Sequence, residues 1–125
     1  MGKRLIQQRR GRGTMTYRSP SFRFEGKVKH SHLETMGKVL DIIHCQGHSA
    51  PLIEIEYLTG IKGLIFAPEG IKVGDEISVG TGEELKTGCV FPLKDIPEGT
   101  LVHNLELRPG DGGKLVRASG SFAKV

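Results

Sequence analysis

The chain has 125 residues, of which 18 are Lys or Arg and 14 are Asp or Glu, and its isoelectric point is near 9.2. No apolar run approaches the roughly 18 residues that a membrane helix needs, and the segment Met1–Arg12 lacks the apolar stretch of a secretory signal. Two cysteines, Cys45 and Cys89, do not indicate a disulfide framework, so a reduced, cytoplasmic compartment is expected.

The basic charge is concentrated in residues 1–33, where nine Lys and Arg residues face a single acid, Glu25, and give a net charge of +8. Such a segment repels itself and suits a polyanion, while interleaved aromatics such as Tyr17 and Phe22 suit unpaired RNA bases. Residues 1–35 are therefore predicted to form an extended RNA-binding arm, in which Gly11 and Pro20 break any helix. The alternative is a solubilising tail. The arm residues assigned to RNA contact are Lys3, Arg4, Arg9, Arg10, Arg12, Arg18, Arg23, Lys27, Lys29 and His30.

Residues 36–82 have the pattern of short β-strands. Between Leu52 and Leu58 apolar residues alternate with acids, so Ile53, Ile55 and Tyr57 should face a core while Glu54 and Glu56 face solvent. The pair Thr59-Gly60 predicts a hairpin turn into a returning strand, Ile61–Phe66. Four or five short strands within this segment indicate a small barrel or sandwich.

A second β unit is predicted over residues 83–125, after a polar boundary at Thr81–Glu84. Strands are expected at Cys89–Leu93, at Leu101–Leu107, at Leu115–Ala118 and at Ser121–Val125. In the Leu101–Leu107 strand, alternation would place Leu101, His103, Leu105 and Leu107 on one face. The predicted class is therefore all-β throughout.

Neither a metal site nor a catalytic site is indicated. His44, Cys45 and His48 lie close together, but zinc sites need paired ligands at regular spacing, so structural roles are favoured. The glycine-rich loop Pro109–Lys114 matches neither the phosphate-loop motif nor the dinucleotide-binding motif. No cofactor is expected, and the chain is predicted not to be an enzyme.

The glycine-rich loop is nevertheless a candidate RNA contact. Glycines allow close approach to an RNA backbone, and their N–H groups are expected to be exposed for phosphates. A plain flexible loop with scattered charge explains the same residues equally well. The residues of this region assigned to RNA contact are His103, Asn104, Arg108, Lys114 and Arg117.

The stretch Leu93–Gly120, which contains Leu105-Glu106-Leu107-Arg108-Pro109-Gly110-Asp111-Gly112-Gly113-Lys114, resembles the core of the ribosomal large-subunit protein two family. Ile65–Ile71 is similar to the first domain of that family, and Met1–Arg18 is similar to the arm of its archaeal and eukaryotic branch. The resemblance implies an oligonucleotide-binding-type barrel at 36–82, followed from residue 83 by an SH3-like barrel. It also implies that the second barrel is incomplete, because family members continue about as long again beyond Val125.

The resemblance implies a structural constituent of the large ribosomal subunit in the cytoplasm. Family members bind large-subunit rRNA, contact neighbouring ribosomal proteins and support assembly around the peptidyl transferase centre; no membrane or small-molecule substrate is expected. The alternative is a free-standing chaperone of single-stranded nucleic acid. Its stacking residues in the body would be mainly Tyr57, Phe66 and Phe91.

Overall fold

The computed structural model describes residues 6–18, 21–80 and 84–125. These residues form six strands: β1 (Thr35–Ile43), β2 (Leu52–Tyr57), β3 (Lys62–Phe66), β4 (Glu76–Val79), β5 (Leu101–Val102) and β6 (Ala123–Lys124). Helical structure in the described ranges is limited to α1 (Ile6–Gly11) and to 3₁₀ turns at Ser21–Arg23 and Leu93–Asp95. The all-β prediction is confirmed. None of these short helices has the length and apolar character to cross a membrane.

Strands β1 to β4 form one antiparallel sheet in the order β3-β2-β1-β4. The predicted hairpin is present: β2 and β3 pair from Leu52 opposite Phe66 to Glu56 opposite Lys62. Strands β5 and β6 form a separate two-stranded ribbon. The proposed boundary at Thr81–Glu84 lies mostly outside the described residues, and the assignment to two barrel types stays a prediction.

A β-bulge at Leu40 changes the direction of β1. Val39 lies opposite Ile55 but Asp41 lies opposite Glu54, so one residue of β1 has no partner on β2. An extra residue bends the strand and strengthens its twist. The two ends of β1 therefore serve different parts of the core.

The main core lies on one face of this sheet. It contains Val39, Ile53, Ile55, Tyr57, Ile65, Ile77 and Val79. Ile53 and Ile55 are fully buried and Tyr57 is 6% exposed, which confirms the inward face predicted for β2. Alternation along a strand places every second side chain on this face, so β2 supplies three core residues from a six-residue strand.

The opposite face of the sheet carries a second core cluster, which the alternation of β2 did not predict. Leu52 and Phe66 are buried there together with Val28, Cys45 and Ala50. Glu56 is exposed, as predicted for this face of β2. Leu52 lies on the same face but is buried, so the face is not solvated along its whole length. Glu54 is only half-buried, and its carboxylate lies 3.5 Å from the Lys62 ammonium.

Residues 84–125 contain much less regular structure than predicted. The strand expected at Leu101–Leu107 ends at Val102, because Asn104 has a φ of 52° and cannot continue a strand. Leu101 and Leu107 are 61% and 65% exposed, so the predicted apolar face is wrong.

The other strands expected in this half are also shorter than predicted. In the Cys89–Leu93 segment only Val90 pairs, with Val79, and Leu115 forms a single bridge with Leu105. Ser121–Val125 contributes only the short strand β6. Every buried apolar side chain of the described ranges lies between Val28 and Val79, so the cores belong to the first half of the chain.

Candidate nucleic-acid interface

The described part of the basic arm contains a short helix rather than only extended chain. Helix α1 has the sequence Ile-Gln-Gln-Arg-Arg-Gly and carries Arg9 and Arg10 in its last turn. Gln and Arg are good helix formers, and the glycine comes at the end of the helix, where it terminates rather than interrupts. The prediction of a helix-free arm is therefore wrong for this segment.

The arm cations are free to meet phosphates. Arg9, Arg10, Arg12 and Arg18 are exposed, and in the described ranges the ion pairs are Lys62 with Glu54 and Lys86 with Glu84, both outside the arm. The guanidinium of Arg10 lies 5.9 Å from the centre of the Tyr17 ring, and that of Arg23 lies 5.4 Å from the Phe22 ring. Lys3 and Arg4 lie outside the described residues.

The last residues assigned to the arm are built into the body. Val28 is 4% exposed within the second core cluster. The Lys29 N–H donates to Leu64 O at 3.2 Å, and the His30 N–H donates to Gly112 O at 3.2 Å. The His30 Nε2 lies 2.7 Å from Asn104 O. The free part of the arm therefore ends near Lys27, and not at residue 35 as predicted.

Two acidic side chains accept hydrogen bonds from the backbone of the glycine-rich loop and of the residues just before it. The Asp111 carboxylate accepts the N–H groups of Leu107 at 3.0 Å, Arg108 at 3.1 Å and Gly113 at 3.0 Å. The Glu106 carboxylate accepts those of Gly110 at 3.2 Å and Gly112 at 3.0 Å. The expectation that the glycine N–H groups are exposed for phosphates is therefore wrong, because those of Gly110, Gly112 and Gly113 already have anionic partners. Glu106 and Asp111 are the residues whose role the sequence reading missed, although acids beside glycines are a recognised turn signal.

The ionised form of Asp111 stabilises this loop. Desolvation raises the pKa of Asp111, but the three N–H bonds from Gly113, Arg108 and Leu107, with the charge of Lys114, outweigh it and hold the pKa below its usual value. A lowered pKa means that the carboxylate contributes stability above about pH 4 and that this contribution is lost as the pH falls through the folded-state value. The loop is therefore fully braced at neutral pH.

Two residues assigned to RNA contact serve the interior of the body. Asn104 is 2% exposed, and its N–H donates to Val116 O at 2.9 Å. The Arg117 guanidinium is half-buried and lies 5.0 Å from the centre of the Phe66 ring. The Asn104 side chain is therefore buried, and the Arg117 guanidinium packs against an aromatic ring of the body.

His103 is half-buried rather than displayed on a strand face. Desolvation lowers the pKa of His103, and nearby His30 lowers it further, while a backbone hydrogen bond with Phe66 acts in the opposite direction. The ring is therefore disposed to be uncharged at neutral pH and to add little to the attraction of phosphates.

The arm end and the loop meet in one exposed basic surface, here called the junction surface. Its residues are Lys29, His32, Arg108 and Lys114, all of them exposed. The Lys29 stem lies along the loop, since a methyl group at Gly112 would be 3.0 Å from Lys29 Cγ. The His32 ring lies beside Gly110 in the same way, at 3.8 Å. His32 was not among the predicted RNA contacts. It is nearly 80 positions from Gly110 in the chain, so no local sequence pattern indicates that the two residues meet.

Two members of the histidine and cysteine cluster, Cys45 and His48, pack in the body. Cys45 is fully buried, and its Sγ lies 3.2 Å from His48 Nδ1. The His48 ring meets Phe66 edge-on, with 5.5 Å between ring centres. Desolvation and the charge of Arg117 both lower the pKa of His48. Within the described ranges no three His, Cys, Asp or Glu residues are grouped as metal ligands.

Gly113→Ala is expected to destabilise the loop by about 1–3 kcal/mol. Gly113 has a φ of 101°, which alanine rarely adopts, and an added methyl group would collide with the Asn104 side-chain amide. The matched control is Gly120→Ala, which has a φ of 73° but nothing within 4 Å of the added methyl group. Urea unfolding measures both free energies. Equal costs would show that the Asn104 contact adds nothing to the backbone strain.

Known proteins similar to this chain belong to one family. A family model described as "Ribosomal Proteins L2, C-terminal domain" matches residues 86–125. Proteins named "Large ribosomal subunit protein uL2" align with the whole chain at 48% identity in Methanothermobacter thermautotrophicus, 49% in Methanocaldococcus jannaschii and 51% in Methanococcus vannielii. The alignments cover 55%, 54% and 56% of those proteins, so the chain spans about half the length of the curated relatives it matches. The chain is therefore similar along its full length to archaeal proteins named for the large ribosomal subunit, and its residues 86–125 match the ribosomal protein L2 family model.

Proposed function

We propose that this chain is a structural, rRNA-binding constituent of the large ribosomal subunit, located on ribosomes in the cytoplasm. The observation that carries the proposal is the identity of about half of all residues, over the whole chain, with proteins named for that subunit. Support for assembly around the peptidyl transferase centre, and contact with neighbouring ribosomal proteins, are the finer parts of the same proposal.

The geometry supports RNA contact through two elements. The exposed arm cations have no acidic partners among the described ion pairs, so phosphates can neutralise them and release bound counterions. The junction surface supplies three more exposed basic side chains, Lys29, Arg108 and Lys114, on a loop fixed by internal hydrogen bonds. The arm provides charge and reach, while the body provides a rigid support for it.

The aromatic residues that could stack on bases are exposed on the arm and largely covered in the body. Phe22 is 82% exposed on the arm, beside the Arg23 guanidinium, and both can stack on an unpaired base. In the body, Tyr57 and Phe66 are 6% and 3% exposed, and Phe91 is half-buried. A chaperone of single-stranded nucleic acid needs an exposed stacking platform, which these body residues do not form. The ribosomal function is therefore favoured over the chaperone alternative.

The proposal is tested by sedimentation with purified ribosomal subunits. The tagged chain, added in substoichiometric amount to large subunits from which the native L2 protein has been removed, should sediment with them after a high-salt wash. Recovery of the chain at the top of the gradient in every salt condition would overturn the proposed function.

A further inference from the structure

We propose that His30 is a positioning residue, whose side chain fixes the direction in which the basic arm leaves the body. It does so by a hydrogen bond to the backbone of the loop that carries Arg108 and Lys114. The inference rests on the proposed function, since its consequence is that the arm and the junction surface engage one RNA together. A substitution that keeps every charge of the chain should then weaken RNA binding.

The hydrogen bond has a defined polarity. The partner of His30 Nε2 is the Asn104 carbonyl oxygen, 2.7 Å away, and a carbonyl can only accept. Nε2 therefore carries the proton and donates. The other ring nitrogen, Nδ1, is buried and has no hydrogen-bond partner among the described residues. Only a donor at the position of Nε2 can make this contact, which gives the site a chemical requirement that can be tested.

The acceptor is held rigidly in place. Asn104 has a left-handed backbone conformation, with a φ of 52°, and its N–H donates to Val116 O. Its side chain is buried against Gly113, whose own N–H is held by Asp111. A loop braced in this way can fix the orientation of a segment that docks on it. His30 therefore bonds to a stationary point 74 positions away in the chain.

His30 lies where the exposed arm joins the body, so its contacts set the direction of the arm. On its arm side, residues 22–27 are exposed, and Val28 is the first residue buried in the core. The backbone bonds of Lys29 to Leu64 and of His30 to Gly112 attach the chain to two different elements. The His30 side chain adds a bond on the loop side only. Its loss should leave Val28 in the core but allow the segment to swing away from the loop.

The test compares three substitutions of His30 that leave every Lys, Arg, Asp and Glu of the chain in place. His30→Gln retains a side-chain N–H near the position of Nε2 and should keep the contact. His30→Asn places its amide near the position of Nδ1 and should lose it, as should His30→Ala. His44→Ala is the control, because His44 is an exposed histidine that lies outside the junction surface.

Two RNA probes separate positioning from charge. Binding is measured at one salt concentration with deproteinised large-subunit rRNA and with poly(U). His30→Ala and His30→Asn should weaken rRNA binding about fivefold, the loss of one ordinary hydrogen bond, and should not change poly(U) binding. His30→Gln and His44→Ala should match the parent chain with both probes. Hydrogen exchange at the Lys29 and His30 amides should be faster in the Ala and Asn variants and normal in the Gln variant.

Each result supports or overturns the inference. Equal rRNA affinity of His30→Ala and the parent chain overturns it, as does an equal loss on rRNA and poly(U). A lower melting temperature with unchanged exchange at Lys29 and His30 shows a merely structural role and also overturns it. If the parent chain does not bind rRNA at all, the proposed function fails, whereas a failure of the inference alone leaves parent binding intact.

Discussion

Ile55→Asp is expected to unfold the main sheet. Ile55 is fully buried in the main core and lies opposite Val39 on β1 and Gly63 on β3. A carboxylate there would be desolvated without a partner, and changes of this kind cost more than about 4 kcal/mol. Domains of this size have a total stability of about 5–15 kcal/mol. Circular dichroism and urea unfolding should show a chain that is largely unfolded at room temperature.

The matched control for this change is Ile42→Asp. Ile42 lies in β1 of the same sheet but is 40% exposed, so its carboxylate can remain hydrated. The expected cost is about 1 kcal/mol, the range of strand propensities. If Ile42→Asp were the more damaging change, the register of β1 against β2, including the bulge at Leu40, would be wrong.

Neutralising the arm is expected to flatten the salt dependence of RNA binding. The variant replaces Arg9, Arg10, Arg12 and Arg18 with Gln. Each of these side chains is exposed. The logarithm of the binding constant falls linearly with the logarithm of salt concentration, and the slope should decrease by about 0.7–0.9 for each phosphate contact removed. Filter binding over a range of salt concentrations measures the slope.

The control variant removes the same charge from the body. It replaces Lys38, Lys72, Lys94 and Lys124 with Gln, all exposed lysines that make no ion pair in the described ranges. Its slope should stay close to that of the parent chain. Equal changes of slope in the two variants would contradict the arm as the main phosphate contact and would indicate an unspecific effect of net charge.

The structure explains why part of the fold could be predicted from sequence. Strand β2 and its hairpin partner β3 were predicted because alternation and a two-residue turn are local patterns. Ile53, Ile55 and Tyr57 are buried as expected. The bulge at Leu40 has no such pattern, because it depends on how β1 pairs with β2 rather than on the β1 sequence alone.

The candidate site depends on contacts between distant residues, and these were largely missed. Val28 joins the core and His30 bonds to Asn104 across 74 positions. The exposed arm arginines could be predicted, since charge and solvent exposure follow from composition. The burial of Asn104 and the packing of Arg117 on Phe66 could not, because the first follows from the left-handed backbone at Asn104 and the second from the position of Phe66.

The proposed role of this chain, as a component of the large ribosomal subunit that binds its rRNA, can be tested by sedimentation. The most direct measurement sediments the tagged chain with a mixture of large subunits stripped of the native L2 protein and intact small subunits, at a salt concentration that disrupts unspecific binding. We expect the chain to be recovered with the large subunits, and the variant with Gln in place of Arg9, Arg10, Arg12 and Arg18 to be released at lower salt. Equal recovery with both subunits, or recovery with neither, would contradict the proposed role.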